Sequence, residues 1–232
     1  MKTVKQLAGL FVLSIVMACT PSINSAYKSN IDSQLISAQS SNHSYDHGPK
    51  ADLAIGQWVK YKNTDANGNP SINTTKIIGI EGGLYWVQFD VESYYNKVSY
   101  RMLMQAPTSV SELDVVRVLE KHGSANDYRD LNSFEMKLFK RMQSIALATL
   151  SWHGVREPGS KTVQSQAGTF NNCQIKHESL SVFGITFESQ NTVHNAVPFS
   201  GTVHSVNKKD PRQTTELLAF GHQAQTGIPQ IY

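Results

Sequence analysis

Cysteine is scarce in this chain of 232 residues: only Cys19 and Cys173 occur, which excludes a disulfide framework. An excess of either charge is missing too. Lys and Arg number 21 against 18 Asp and Glu, a formal balance of +3, and no run of like charges occurs. Phosphate binding needs a concentrated basic face, so nucleic acid is excluded as a partner. The most apolar stretch, residues 7–18, is interrupted by Gly9 and Ser14 and is too short to span a bilayer as a stable helix. No internal repeat of fixed period is visible. Eight histidines invite a search for catalysis. No His-Glu-x-x-His, Gly-x-Ser-x-Gly or P-loop spacing is found, and His177, His194, His204 and His222 are scattered over late segments. Cys173 has no cationic neighbour in sequence to activate it and reads as a small buried side chain. The chain is therefore not read as an enzyme, and no cofactor is expected.

What is present begins at the amino terminus. Lys2 and Lys5 precede the apolar run, giving the charged head and apolar middle of a secretory signal over residues 1–18. The run ends in Val16-Met17-Ala18-Cys19, which resembles the lipobox of bacterial lipoproteins. The resemblance implies that the signal is removed before Cys19 and that Cys19 is acylated. One buried chain binds a membrane reversibly at roughly 0.8 kcal/mol per methylene, whereas two or more hold it for good. Thr20 stands where an Asp would retain such a protein in the inner membrane, so the resemblance points to the outer membrane, on its periplasmic face or at the surface. Val16 and Ala18 also suit the peptidase that releases free periplasmic proteins. Without Lys2 and Lys5 the mature chain carries 19 basic and 18 acidic side chains, a balance of +1.

Residues 19–50 follow as the lipidated Cys and a flexible tether, rich in Ser, Asn and Gln as in Ser40-Ser41-Asn42-His43-Ser44. A coil of about 30 residues would place the body on the order of 30 Å from its anchor. His43, Asp46 and His47 lack a third strong ligand and read as polar filler, so no metal is expected. Residues 51–232 form a single domain of ordinary size.

Within that domain 57–62, 72–80, 84–89 and 98–104 alternate as strands, joined by the turn chemistry of Asp65-Ala66-Asn67-Gly68-Asn69-Pro70 and Glu81-Gly82-Gly83. Val98, Tyr100, Met102 and Met104 share one face of the last, and together the four make an antiparallel meander. The period then changes from 2 to 3.6. Ser109 or Ser111 caps a predicted helix through His122, with Glu112 and Asp114 at its positive end and Lys121 at its negative end. A second predicted helix, 131–150, aligns Leu131, Phe134, Leu138, Met142 and Ile145 on one stripe. Strands resume at 161–166, 168–178, 180–188 with Phe183, Ile185 and Phe187 on one face, 193–206 and 214–220. The expected class is mainly β (α+β): a strongly curved antiparallel sheet or half β-barrel of eight or nine strands, with two inserted helices lidding the concave face.

The succession Gly56-Gln57-Trp58-Val59-Lys60-Tyr61, Gly82-Gly83-Leu84-Tyr85-Trp86-Val87, Gly168-Thr169-Phe170 with Cys173, Val197-Pro198-Phe199-Ser200-Gly201 and Glu216-Leu217-Leu218-Ala219-Phe220-Gly221 is similar to bacterial envelope proteins related in fold to the lipoprotein-localisation factors. The likeness covers roughly residues 53–227. It implies a half-open barrel whose concave face is lidded by helices and holds acyl chains. Large soft side chains expected to point inward are Trp58 or Tyr61, Trp86, Tyr100, Met102, Met104, Phe139, Met142, Phe183 and Phe187. Methionine and aromatic rings adapt to irregular apolar guests, so these are the candidate lining of a site for a lipid, acyl chain or other hydrophobic molecule. Two alternatives stand beside this: the same side chains pack against the helices as core, and the protein is a tethered scaffold or interaction domain of the envelope with no ligand.

Overall fold

Alternation of polar and apolar residues from Trp58 onward commits the chain to extended structure. The computed structural model describes residues 22–38, 40–105, 114–146, 158–182 and 185–222, so Cys19 and Phe183 lie outside the described residues. Among them are a helix α1 (Ser25–Ser37), strands β1 (Ser44–Tyr45), β2 (Trp58–Thr64), β3 (Pro70–Glu81), β4 (Leu84–Ser93), β5 (Lys97–Met104), β6 (Val115–His122) and β7 (Arg129–Asp130) and a helix α2 (Ser133–Ala146). Five further strands follow: β8 (Lys161–Ser165), β9 (Gly168–Val182), β10 (Ile185–Val193), β11 (Thr202–Asn207) and β12 (Thr214–Gly221). The fold is mainly β.

The twelve strands form one sheet in the order β1-β9-β10-β11-β12-β2-β3-β4-β5-β6-β7, with β8 also on β9. The order has two free ends, so the sheet is not closed. Only β1 pairs in parallel; every other ladder is antiparallel. Turn chemistry fixes the meander. Asp65 Oδ1 accepts from the backbone N–H groups of Asn67 and Asn69, both at 2.8 Å, and Gly82 and Gly83 both take positive φ, as a two-residue hairpin between Glu81 and Leu84 requires. In β9 the partners change midway: 168–173 pair with β1 and β8, and 174–182 pair with β10. Asn172, with φ 58°, sits at that change of partner.

One face holds the main core. Val59 and Tyr61, Ile77, Val87, Tyr100, Met102 and Met104, Val115 and Val118, Val203 and Leu217 are buried in a single cluster with Phe139 of α2 and Phe170 and Cys173 of β9. Helix α2 touches both β6 and β9, and β8 touches β11 and β12. Phe139 of α2 therefore joins the core cluster at one side, and Ala167, Phe170 and Cys173 of the β8–β9 hairpin join it at the other.

Several expectations are corrected. The segment expected to be a tether contains α1 and β1, both docked on the body. Asn24 caps α1 by accepting from the Ala26 and Tyr27 N–H groups at 3.0 and 3.2 Å, and Ile31 is fully buried. Glu92 accepts from Asn30 Nδ2 (2.8 Å) and Gln34 Nε2 (3.0 Å), Lys60 Nζ donates to Gln34 Oε1 (2.8 Å), and Tyr94 OH donates to Asp32 Oδ1 (2.7 Å). Lys60 and Glu92 alternate with Val59, Tyr61 and Val91, so α1 lies on the face opposite the main core. Further along, β1 pairs with Thr169 and Phe170, and the His43 carbonyl lies so close to Gly168 that a Cβ there would stand 2.5 Å from it.

The helix expected through His122 is instead β6. A bulge opposite Leu103–Met104 inserts Val116, so Val115 and Val118 both reach the core three residues apart, and that spacing imitates a helical period. Within the predicted 131–150 helix, α2 occupies Ser133–Ala146. The strand expected over 180–188 falls on two strands, because Val182 of β9 pairs antiparallel with Ile185 of β10. The strand expected over 193–206 is interrupted at 194–201, where Pro198 occupies a loop.

If α1 belongs to the body, Ile31→Ala destabilises the whole fold by about 2–5 kcal/mol in urea denaturation. A tether residue would leave the midpoint unmoved.

Candidate functional site

The candidate apolar site is the core face between the sheet and α2. Cross-strand register decides which side chains reach it. Tyr85, Val87 and Phe89 pair with Met104, Met102 and Tyr100, so the odd residues of β4 face the core together with these three of β5. Trp86 therefore faces the other way, in a separate cluster with Ile78 and Leu103. There its indole N–H donates to Glu81 Oε2 at 2.8 Å, and the Arg117 guanidinium lies 6.0 Å from the ring. Trp58 is likewise outward, since Val59 and Tyr61 take the inward parity of β2; Tyr61 is the inward member of that pair, and its hydroxyl donates to the Thr202 carbonyl at 3.1 Å. Neither tryptophan lines the core face. The side chains of Met142 and Phe187, like Phe183 itself, lie outside the described residues.

The structure does bring together Tyr100, Met102, Met104 and Phe139, with the Tyr100 and Phe139 rings 6.0 Å apart. Their exposures are 2, 2, 0 and 5 %. A cavity wide enough for an acyl chain would leave its lining accessible to a water-sized sphere, and these four side chains are sealed by protein atoms instead.

A polar knot sits beside this apolar contact. Glu120 of β6 is buried; its carboxylate accepts from Tyr100 OH (3.2 Å) and from Arg129 Nη2 (2.6 Å), and His122 Nε2 lies 2.7 Å from it. Burial, and then the Glu120 charge, push the Tyr100 hydroxyl far above the ordinary phenol range. Arg129 also donates to Glu135 Oε2 at 2.9 Å. Glu135 in turn accepts from the Asn132 backbone N–H (2.9 Å), while Asn132 Oδ1 accepts from the Phe134 and Glu135 N–H groups, both at 3.0 Å. This reciprocal capping box ties the start of α2 to β6 through Arg129. Its donors and acceptors satisfy one another, which is the arrangement of a fastening.

A second concentration of titratable groups lies where residues 43–50 cross the 194–201 loop. Lys50 Nζ donates to the Val197 carbonyl, and Asn195 Nδ2 to the Gly48 carbonyl at 2.8 Å. His194 is almost wholly buried; its Nδ1 accepts from the Ala196 N–H at 3.1 Å, and its Nε2 has no hydrogen-bond partner among the described residues. Its ring stands 6.3 Å from that of His47 and 5.4 Å from that of Phe170. Burial, and then the Lys176 charge, lower the Lys50 amine to about 7; burial, and then His47, lower His194 as well. Asp46 belongs to this region and accepts from Asn171 Nδ2 at 2.9 Å, while His43 packs on the Tyr45 ring at 4.4 Å. Cys173 is buried nearby in sequence from Phe170, whose carbonyl accepts from its Sγ at 3.3 Å, and burial raises the thiol to about 11. Such a thiol is not a nucleophile at neutral pH.

Glu120, Arg129, Lys50 and His194 carry no motif, because the contacts that mark them join separate stretches of the chain: Tyr100 with Glu120, Glu120 with Arg129, Val197 with Lys50 and His47 with His194. Comparison with protein-family models, with curated proteins and with solved structures found no match.

Two outcomes follow from these clusters. Arg129→Ala removes charge-assisted bonds to Glu120 and Glu135, each kind contributing about 1.5–3 kcal/mol, so it lowers the urea midpoint and speeds hydrogen exchange in α2 more than in β3. For Lys50, the folded value of about 7 lies below the unfolded 10.5, so the unfolded chain holds the extra proton between these pH values. Stability therefore rises with pH across that window, by at most about 1.4 kcal/mol per pH unit. Lys50→Met flattens that rise in denaturation midpoints measured between pH 7 and 9.

Proposed function

We propose that this protein is a lipid-anchored component of the bacterial envelope whose β-sheet body is a non-catalytic interaction domain. Acylation at Cys19 supplies the membrane attachment, and the outer membrane is the compartment to which Thr20 directs it. The body is read as a half-barrel: α2 spans from β6 to β9, strands well separated in the sheet order, and a curled sheet allows one short helix to reach both. The observation that carries the interaction reading is the filling of the core face by the chain's own side chains, Tyr100, Met102, Met104 and Phe139 among them. A body built this way offers partners its outer surface. Cys173 and the Glu120 knot serve packing and fastening in this reading.

A second reading, acyl-chain carriage, is favoured by one specific observation. Helix α2 is fastened at its start by the Arg129 and Glu135 bonds and lies over Tyr100 through Phe139. Moving α2 aside would open the methionine-lined face to an acyl chain.

The anchor and the guest are tested together. Labelled palmitate attaches to the wild-type chain and not to Cys19→Ser, and the purified Cys19→Ser protein yields no stoichiometric lipid on organic extraction and mass spectrometry. Palmitate absent from the wild type overturns the anchor; one acyl lipid per chain moves carriage ahead of interaction.

A further inference from the structure

We infer that the end of the sheet bearing the 65–69, 94–96 and 123–128 turns is the surface that meets the lipid bilayer, with its tyrosines at headgroup level. The inference rests on the anchor at Cys19 and goes beyond it by stating which part of the body the anchor brings down.

The first ground is reach. Asn24 is five residue steps from Cys19, about 18 Å at full extension. Asn24 is fixed: its backbone N–H donates to the Tyr94 carbonyl at 2.8 Å, and α1 behind it is bound to Glu92, Lys60 and Tyr94. The acylated residue therefore cannot stray more than about 18 Å from that point. The opposite end of the sheet, at Gly82–Gly83, lies ten residues of β4 away, roughly 33 Å. A leash of that length selects one end.

The second ground is what that end carries. Register places the 65–69 turn, the 94–96 turn and the loop after His122 together, since Ser71 pairs with Ser93 and Val98 with His122, and the Gly123 N–H donates to the Lys97 carbonyl at 2.8 Å. Tyr27, Tyr94, Tyr95 and Tyr128 gather there, all half-buried, four of the nine tyrosines in the chain. Tyr95 OH accepts from Asn69 Nδ2 at 3.3 Å, which ties it to the neighbouring turn, and Tyr128 OH lies 2.7 Å from Ser99 Oγ near the start of β5. Lys28 stands 4.9 Å from the centre of the Tyr94 ring, and Arg101 lies 4.0 Å from that of Tyr128. Amphipathic rings with cations beside them suit the layer between water and hydrocarbon, where one part of the ring is apolar and another wet. The paired backbone of β9 and β10 overshoots the Ser189–Asn207 pair by four register positions, from Glu188–Ser179 to Ile185–Val182, and projects from this same end.

The test uses the full lipidated chain in vesicles of phosphatidylethanolamine and phosphatidylglycerol, with a thiol-reactive fluorophore at one introduced cysteine and brominated lipid as quencher. Cys173 is buried and its thiol is raised to about 11, so the introduced site labels selectively. Asn67→Cys and Ser124→Cys report the proposed end and Ile80→Cys, exposed near the other, the control. Quenching at 67 and 124 several times that at 80 is expected, and ten Gly/Ser residues inserted after Thr20 abolish the difference while the chain still floats with vesicles. Equal quenching at the two ends, or stronger quenching at 80, overturns the inference with the anchor intact. Failure of the uninserted chain to float overturns the anchor reading, and this inference with it.

Discussion

One continuous apolar face is the constraint on which the rest of this structure depends. It runs from Val118 in β6, across β5, β4, β3, β2 and β12, to Val203 in β11, and it must be kept from water by the chain itself. At about 25 cal/mol per Å² such a face is worth far more than any polar contact in the molecule. Both covers follow from it. The β8–β9 hairpin brings Val163, Ala167, Phe170 and Cys173 over one side, and α2 brings Phe139 and Met136 over the other. The change of partners within β9 near Asn172 is how one strand serves both as cover and as part of the wall.

Polar chemistry then decides where the covers stay. The β8–β9 cover is locked by backbone pairing and by the 43–50 segment, whose Tyr45 ring stacks on Phe170 at 4.7 Å and whose Lys50 is bonded to the 194–201 loop. Among the described residues the α2 end is held by Arg129 to Glu120 and Glu135, by Lys140 Nζ to Asp114 Oδ1 at 3.5 Å, and by the Leu131 N–H to the Val118 carbonyl at 3.1 Å.

Much of this was legible before any coordinates. The strands and turns from 57 to 104 were readable because alternation and turn residues agreed, and they placed Tyr100, Met102 and Met104 on one face correctly. Errors arose where a signal was local and the cause was not. The bulge that inserts Val116 produced a three-residue spacing that only the partner strand reveals as extended. Size alone points to the tryptophans as lining, but hairpin register sets their parity, and parity turns them outward. Helix α1 offered no apolar stripe; it is held by one buried isoleucine and by bonds from Asn30, Asp32 and Gln34 to residues some 26 to 62 positions away, which leave no periodic trace. The polar composition that suggested a tether is the composition of a helix fastened by side-chain amides.

That difference reaches function through geometry. A coil of about 30 residues decouples a body from its anchor and lets it sample a hemisphere some 30 Å in radius. A helix docked on β3 and β4 couples them, because force at the amino terminus passes through Asn24 to Tyr94 and so into the sheet. With the proposed anchor at Cys19, orientation would become a property of the fold: the surface turned to the membrane and the surface left for partners would both be set by where α1 begins. The outer cluster of Trp86, Ile78 and Leu103 belongs to the strand ends far from Asn24, so an anchor at Cys19 would hold that end away from the bilayer while drawing the tyrosine-bearing end down.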